Sequence, residues 1–556
     1  MPDKGEELGS SSALVPVAAE CDGVRPFSEL DAGELISGPG GELEVPIADR
    51  RLIAAFRGGL AVVAKGSRWS PEVKAVLDRA FRTELDIHRI VESDSETILA
   101  AYEQFSSERG DGSFMRGTIE RQRDLRRIIA QAADSQASDI HFKLLPGYCE
   151  IRIRVHGKLC PLANRAPEEG IALMNAAFAV AADQGTSAGA TSFMKGALTR
   201  ASGLLPAGVD LARLQYSPAS GHRPFLAMRL KYSSGRNLSD LEGLGYLPRQ
   251  LQDFSLMRRR TSGLYLLAGK VSSGKTTTLQ RLLNAMVMEK SHEISVFAIE
   301  EPVELDVAGA VHVAVAARSG QSRSEAFIEA VKATLRSDPN IVVIGELRDR
   351  ELANHAIELA MTGHALWSTV HAGSALGILD RLSDLGIEGW KLADTSIVRG
   401  LIYQRLIGLL CPECKSTFPD AMRRNSISPH LAETVIRLTG CDASELFVRG
   451  LGCGSCSGGF AGRSVVAETL LPDPKLLDLY LRGNRTGMRD HWLTPRADGG
   501  LGGWPAMHHA MIKVGLGICD VNEIEEEVEL VGAYEREFAR HAASLADSVA
   551  AARQLQ

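Results

Sequence analysis

The 556-residue chain is 45% hydrophobic and 24% charged, ordinary for soluble globular protein, and it is too long for one hydrophobic core, so three or four domains are expected. A formal net charge of −7 argues against a broadly basic nucleic-acid surface. No apolar run reaches the roughly 18 residues that would span a bilayer, and the polar, acidic start at Met1 has no basic-then-apolar export pattern. A cytoplasmic protein is therefore expected, in which nine cysteines, an odd number, do not form a disulfide framework.

Residues 1–25 are polar and rich in Ser and Gly, with too little apolar content to order themselves. Over 26–110 the pattern alternates and predicts a small α/β domain: strand Leu60–Ala64, helix Pro71–Phe81, strand Leu85–Val91, helix Ser95–Phe105. A polar stretch, Ser106–Gly117, leads to a second α/β domain over 118–235. It opens on an amphipathic helix, Ile119–Ala133, followed by a strand pair near Ile140–Phe142 and Glu150–Val155. Within it Gly185–Leu204 is rich in small residues and has no assigned fold.

A nucleotide-binding domain is expected over 236–410. An apolar strand, Leu264–Ala268, enters Gly269-Lys-Val-Ser-Ser-Gly-Lys-Thr, and a helix, Thr277–Met288, leaves it. This is the strand, loop and helix context of a phosphate-binding loop. Backbone N–H groups and the helix dipole favour negative charge at such a helix start. Gly269, Ser272, Ser273, Gly274, Lys275, Thr276 and Thr277 form the nucleotide-binding set, with Lys275 on the β/γ-phosphates and Thr276 on magnesium.

Acids follow at two further strand ends. Strand Ile341–Ile344 runs into Gly345-Glu346, where a P-loop enzyme places an acid beside magnesium and the attacking water. Strand Val296–Ile299 runs into Glu300-Glu301-Pro302-Val303-Glu304, and one of these three acids is expected to polarise water, because ligands of doubly wound sheets sit at the carboxyl ends of strands. His364 and His371 bracket a third strand, about 23 Å apart by strand rise, and so share no metal. His371, at the carboxyl end, is the candidate γ-phosphate sensor.

Cys411-Pro-Glu-Cys414 and Cys453-Gly-Ser-Cys456 are two knuckles whose four thiolates suit tetrahedral zinc, placing a zinc-binding insert over 411–463. Cys21, Cys149, Cys160, Cys441, Cys519 and His430 lie outside that pattern and are read as structural. Beyond Ser464 the pattern reads as helical, giving a helical C-terminal domain and tail over 464–556.

In order as well as content these motifs resemble the secretion-superfamily ATPases of type II secretion and type IV pilus assembly. Ile299–Glu304 resembles the family's acidic box, Leu335–Asn340 through Gly345–Asp349 its Walker B segment, and Thr362–His371 its histidine box. Gln404-Arg405-Leu406, Gly458 through Glu468, Ala137–His141 and Arg152–Gly157 are also family-like. The departures are Glu301 where the family usually has Asp, Asn340 where it often has a second Asp, and Gly185–Leu204, which aligns with nothing.

The resemblance implies a multidomain α/β P-loop NTPase with a RecA-like core, an N-terminal docking domain, a preceding α/β domain, the zinc insert and a helical C-terminal part. It further implies a homo-hexameric ATPase using ATP, magnesium and zinc, docked peripherally at the inner membrane through a platform protein, with no nucleic-acid partner. Glu300, Glu346 and His371 would be catalytic, and Arg213 and Arg229 would complete a neighbour's site in trans. The four-cysteine insert resembles extension rather than retraction motors. The alternatives are a nucleic-acid translocase, which would need a basic, aromatic-studded channel and meets an aromatic content of 5%, and a nucleotide-gated adaptor, against which the intact acids argue.

Overall fold

The structure, a computed structural model, describes residues 34–38, 41–46, 49–83, 85, 87–108, 112–181, 193–218, 223–233, 239–301, 303–318 and 320–555. The expected unstructured segment 1–25 with Cys21, and 185–192 of the small-residue stretch, lie outside it. Two compact units, Met1–Ser233 and Ser234–Gln556, make up the chain.

The first unit opens with a three-stranded sheet of β1 (Ile53–Ala55), β2 (Leu60–Ala64) and β3 (Arg89–Ser93), in which β1 is antiparallel and β3 parallel to β2. A parallel β2–β3 pair requires a crossover, supplied by the helix Pro71–Arg82. Ser70 caps that helix by accepting from Val73 N at 3.3 Å, and Pro71 occupies the first turn, where its missing N–H costs nothing. The third strand starts four residues later than the apolar pattern predicts. Leu85 instead ends the helix, its N–H bonded to Ala80 O at 3.0 Å, and packs with Ile87 against Ala80.

The helix Gly112–Asp134 begins earlier than predicted and includes the end of the expected polar linker. It covers a six-stranded antiparallel sheet: β4 (Asp139–Leu145), β5 (Tyr148–Val155), β6 (Lys158–Arg165), β7 (Met194–Thr199), β8 (Val209–Ser217) and β9 (Phe225–Tyr232), in the order β6-β5-β4-β9-β8-β7. Residues 194–199 of the stretch without an assigned fold thus form its edge strand. Strict alternation sends Ile140, Phe142, Ile151, Ile153, Leu214 and Met228 into the core against Leu125, Ile129 and Leu173, and turns polar residues to the other face.

The second unit holds a seven-stranded sheet. Its strands are β10 (Gly263–Ala268), β11 (Val296–Glu300), β12 (Val311–Ala314), β13 (Ile341–Ile344), β14 (Ala365–Val370) and β15 (Val398–Leu410), all parallel, with a two-stranded ribbon of β16 (Ser416–Thr417) and β17 (Phe447–Val448) preceding the last strand, β18 (Phe460–Leu470). The order β12-β11-β13-β14-β10-β15-β18 puts β10 in the interior, buried on both faces, with Tyr265 stacked on Trp367 at 4.4 Å between ring centroids. Long apolar runs such as Leu264–Ala268 and Ile341–Ile344 are what a doubly covered parallel sheet demands.

The expectation of helix from Ser464 onward is not met. Residues 460–470 form β18, antiparallel to β15 with Leu401 opposite Leu470 and Leu410 opposite Phe460. Val465–Leu470 is continuously buried, and an apolar run with no polar face fits a strand between two layers better than a surface helix. The cysteine insert is thus a long excursion between two paired strands, and helix starts only at Pro474.

The later helices pack on the insert. Phe418 and Val435 of the insert share one core with Met511, Ile524, Tyr534 and Leu545. At its centre the helix Ala506–Gly515 is buried at all ten positions, including His508, His509 and Lys513. His508 bonds Tyr534 Oη at 2.7 Å, and His509 Nδ1 meets Ala467 N at 3.1 Å. Burial, then His541 and Arg249, push His508 down to about 3, while burial and Lys513 hold His509 well below its ordinary value. Both rings are thus neutral in the fold but bind protons below about pH 6.5 when unfolded. Stability from each is present above that pH and is lost as pH falls through it, by about 1 kcal/mol or slightly more by pH 5.5. Because buried Glu468, raised to about 7, gains stability over the same window, the histidine contribution is read as a difference: the gap in urea unfolding free energy between wild type and His508→Gln should change by about 1 kcal/mol between pH 7.5 and 5.5.

Candidate nucleotide site and cysteine cluster

The phosphate loop leaves the carboxyl end of β10 and turns into the helix Lys275–Glu289. Its close turns need glycine: a Cβ at Gly269 would lie 2.4 Å from Gln404 O and 2.5 Å from Ser273 Oγ, and Gly274 has φ 82°. Lys275 Nζ donates to the carbonyls of Gly269 at 2.8 Å and Lys270 at 2.9 Å, so its ammonium folds over the loop. Burial lowers its pKa and the nearby Glu346 carboxylate opposes that shift. Ser273 Oγ is buried with no hydrogen-bond partner among the described residues, and Ser272 takes a left-handed φ of 64°. Thr276 Oγ1 reaches Glu304 Oε2 at 3.4 Å, and Thr277 is exposed on the first helical turn. A glycine cradle that a Cβ would fill, an ammonium over it and an orphaned buried hydroxyl fit a polyphosphate.

The three neighbouring strand ends carry the acids and the histidine. Glu300, 5% exposed at the end of β11, accepts from Leu305 N with both oxygens, at 3.3 and 3.1 Å, and so closes the turn that presents Glu304. Glu301 turns outward to an ion pair with Arg323. After β13, Glu346 Oε1 meets His371 Nε2 at 2.9 Å, and its Oε2 accepts from Arg348 Nε at 2.6 Å. Ser368 Oγ to Ile344 O, 2.6 Å, and Thr369 Oγ1 to Gly345 O, 2.8 Å, lock the two strand ends that carry this pair. His364 sits at the opposite end of β14, bonded to Thr362 at 3.1 Å, and does not meet His371.

The predicted arginines belong to the outer face of the first unit's sheet. Cross-strand register aligns Arg154, Asp139, Arg229 and Arg213 on β5, β4, β9 and β8. Asp139 accepts from Arg229 Nε at 2.9 Å and faces Arg154 Nε at 3.6 Å. Arg213 stands next in the row, opposite Arg229, while the buried Asp139 is shared by Arg229 and Arg154.

The four expected metal ligands come together. Ligand atoms of Cys411, Cys414, Cys453 and Cys456 all lie within 4.8 Å of one another, with sulfur separations of 3.8 Å for Cys411–Cys453 and 3.7 Å for Cys414–Cys456 and Cys453–Cys456. A tetrahedron with zinc–sulfur bonds of about 2.3 Å has edges of about 3.8 Å, so the donor set fits that ion. For Cys456 burial raises the pKa, but N–H groups of Cys453 and Gly459, each 3.3 Å from the sulfur, outweigh it and leave the thiol lowered to about 7. Cys441 is buried elsewhere, bonded to Thr439 and Gly515 carbonyls.

The sequence assigns no role to Arg348, Tyr246 or Gln404; Arg348 joins the site locally, through Glu346 two residues before it, and Tyr246 and Gln404 join it only through tertiary contacts. Gln404 Nε2 donates to Ser273 O at 2.7 Å, and Tyr246 Oη donates to Gln404 Oε1 at 2.8 Å. Gln404 stood out only as part of a family-like triplet, and nothing local marks Tyr246.

Comparison with known proteins gives a consistent picture. Protein transport protein HofB homolog of Escherichia coli K12 is 32% identical over 367 residues, 64% of this chain and 71% of that one. The type II secretion system ATPase E of Vibrio cholerae is 30% identical over 359 residues, 63% of this chain and 65% of that one. The type IV pilus assembly ATPase PilB of Thermus thermophilus is 28% identical over 376 residues, 65% of this chain and 38% of that one. The chain spans about two thirds of the length of the first two. The family model described as Type II/IV secretion system protein matches residues 116–498, more than half of the chain and including the phosphate loop, the strand-end acids and all four clustered cysteines, and the chain belongs to that family.

Proposed function

We propose that the chain is a magnesium-dependent ATPase whose turnover powers type IV pilus assembly or type II protein secretion. The observation that carries this is the gathering, at the carboxyl ends of four adjacent strands, β11, β13, β14 and β10, of Glu300 with Glu304, Glu346, His371 and the phosphate loop. Lys275 and the loop N–H groups would take the phosphates, and Thr276 and Glu304 would hold magnesium, which when bound would neutralise charge on the phosphates. Glu346, aligned by His371 and Arg348, orients the attacking water and takes its proton. Glu300 acts through the turn it closes.

The working assembly in this reading is a homo-hexamer docked on an inner-membrane platform protein at the cytoplasmic face. No described helix is long and apolar enough to cross a membrane. Arg213 and Arg229 reach a neighbour's nucleotide, their row lending a cationic face to transferred phosphoryl charge. The division into a docking domain (26–110), an arginine-bearing domain (118–235), an ATPase domain, a zinc insert and a helical tail gives each element its part in that cycle.

Lys275→Ala should lose nucleotide binding and turnover together. Glu346→Gln, which keeps shape and removes charge, should bind Mg-ATP normally and turn over at least a hundredfold more slowly, the size of general-base loss. Wild-type rates in that variant would refute the assignment.

One zinc per chain is expected on Cys411, Cys414, Cys453 and Cys456, its binding energy spent on folding the insert. Mass spectrometry of the intact Cys453→Ser Cys456→Ser protein should find the zinc gone, and the shared core predicts a lowered unfolding midpoint for the C-terminal helices as well.

For the arginines, Arg229→Ala should cut turnover by on the order of a thousandfold with little change in affinity, the strength of a full finger. Mixing it with Lys275→Ala subunits should restore some hydrolysis, because one chain's loop would meet the other's arginine. Mixed rings that assemble and recover nothing at any ratio would make these arginines structural.

A further inference from the structure

The phosphate loop is held from behind by a buried polar chain that starts far away in sequence. Tyr246, Gln404, Thr278 and Ser273 are each 4% exposed or less. Tyr246 Oη lies 2.9 Å from Thr278 Oγ1 and 2.8 Å from Gln404 Oε1, and Gln404 Nε2 lies 2.7 Å from Ser273 O. A phenol has one proton to give. With that proton on Gln404 Oε1, the hydroxyl of Thr278 must donate to Tyr246, and every member of the chain then has a consistent direction.

That direction matters for Gln404. Turned over, its amide would set one carbonyl oxygen against another, Oε1 against Ser273 O. Tyr246 selects the useful orientation by donating to the oxygen end. Ser273 O held on Gln404 in turn fixes the peptide between Ser273 and Gly274, since C=O and N–H of a trans peptide point opposite ways. The Gly274 N–H therefore points away from Gln404. Gly274 has φ 82°, and a Cβ there would lie 3.2 Å from Gln404 Nε2, so the amide packs directly on the peptide it orients. Gln404 O also lies 2.4 Å from where a Cβ of Gly269 would be, so this one residue backs both glycines of the loop.

We propose that Tyr246 is a positioning residue of the nucleotide site: acting through Gln404, it fixes the Ser273–Gly274 peptide with its N–H turned to receive a phosphate oxygen. This rests on the nucleotide-binding reading above. A loop preset in this way binds phosphate without first paying for a peptide reorientation in a buried place, where an unpaired amide oxygen is disfavoured.

Packing and positioning separate cleanly here. The Tyr246 ring packs edge-on against Phe254, 4.7 Å between centroids, in a core with Leu279 and Leu282. Tyr246→Phe keeps that ring and removes only the hydroxyl. Mg-ADP affinity by calorimetry should fall about tenfold, the size of one buried hydrogen bond, with the nucleotide-free melting midpoint measured alongside. Thr278→Val, which leaves Tyr246 its donor link to Gln404, should stay within about twofold of wild type. In a Gln404→Ala background, Tyr246→Phe should add no further loss, because the route to the loop is already cut. Unchanged Mg-ADP affinity in Tyr246→Phe, even with a lowered melting midpoint, would overturn the proposal and leave the tyrosine a packing residue. Losses from Tyr246→Phe and Gln404→Ala that simply add would overturn it too. A wild-type chain that binds neither Mg-ADP nor Mg-ATP would instead sink the nucleotide reading on which it stands.

Discussion

Burial of β10 between β14 and β15 is the constraint on which the rest of the second unit depends. A strand covered on both faces and paired on both edges can leave the sheet only at its end, so the chain after Ala268 must turn sharply beside the ends of its neighbours. Parallel strands all end on the same side. The same rule that forces the phosphate loop there forces Glu300, Glu346 and His371 there as well. Gly269 is part of this arrangement, because a Cβ at this turn would lie 2.4 Å from Gln404 O on the adjoining strand. Chemistry at the carboxyl ends of these interior strands is thus a consequence of the strand order.

The antiparallel β18 extends this logic to the cysteine insert. Because β15 and β18 pair over ten register positions, the chain between them is pinned at both ends to the ATPase sheet. The knuckle at Cys411 follows β15 directly, and Cys456 lies just before β18, so a metal held there would brace the mouth of the excursion. Buried acids tie the same region to the later helices. Glu468 of β18 accepts from the N–H groups of Ala375 at 2.8 Å and Ala506 at 3.1 Å, and burial raises its pKa to about 7. Glu523 accepts from Gly408 N at 2.8 Å.

Much of this was legible locally. The loop between Leu264 and Met288, the acids after two apolar runs and the paired cysteines are short-range patterns whose chemistry fixes their geometry. What escaped depended on distance or on ambiguity. A continuous apolar run such as Val465–Leu470 carries no period, so helix and strand are indistinguishable until its partner β15 is known. The three acids at 300–304 look alike in sequence, and only the turn distinguishes Glu300, which closes it, from Glu304, which faces Thr276. Tyr246 lies 158 residues from Gln404, and no local signal joins them. Asp139 drew notice as part of a motif, but its role in ordering Arg154 and Arg229 follows from sheet register alone.

The loop's second residue shows how the tail meets the chemistry. Lys270 Nζ pairs with Glu527 Oε2 at 2.6 Å, and Arg405, one position after Gln404, donates to the Glu527 carbonyl. Both members of the Lys270–Glu527 pair are about half exposed, so the ion pair itself contributes no more than about 1 kcal/mol. Its position is nevertheless well defined, since Glu523 anchors the same helix, Val521–Glu527, to the backbone of β15. Neighbouring residues of one strand therefore do two jobs: Gln404 points inward and sets the loop peptide, while Arg405 ties that strand to the C-terminal helices. A shift of β15 by even a fraction of an ångström would be felt at the glycines and at the tail together, because close-packed interiors transmit displacement instead of absorbing it. In a motor the strand that backs the phosphate loop is then also the element through which the loop and the tail are mechanically joined.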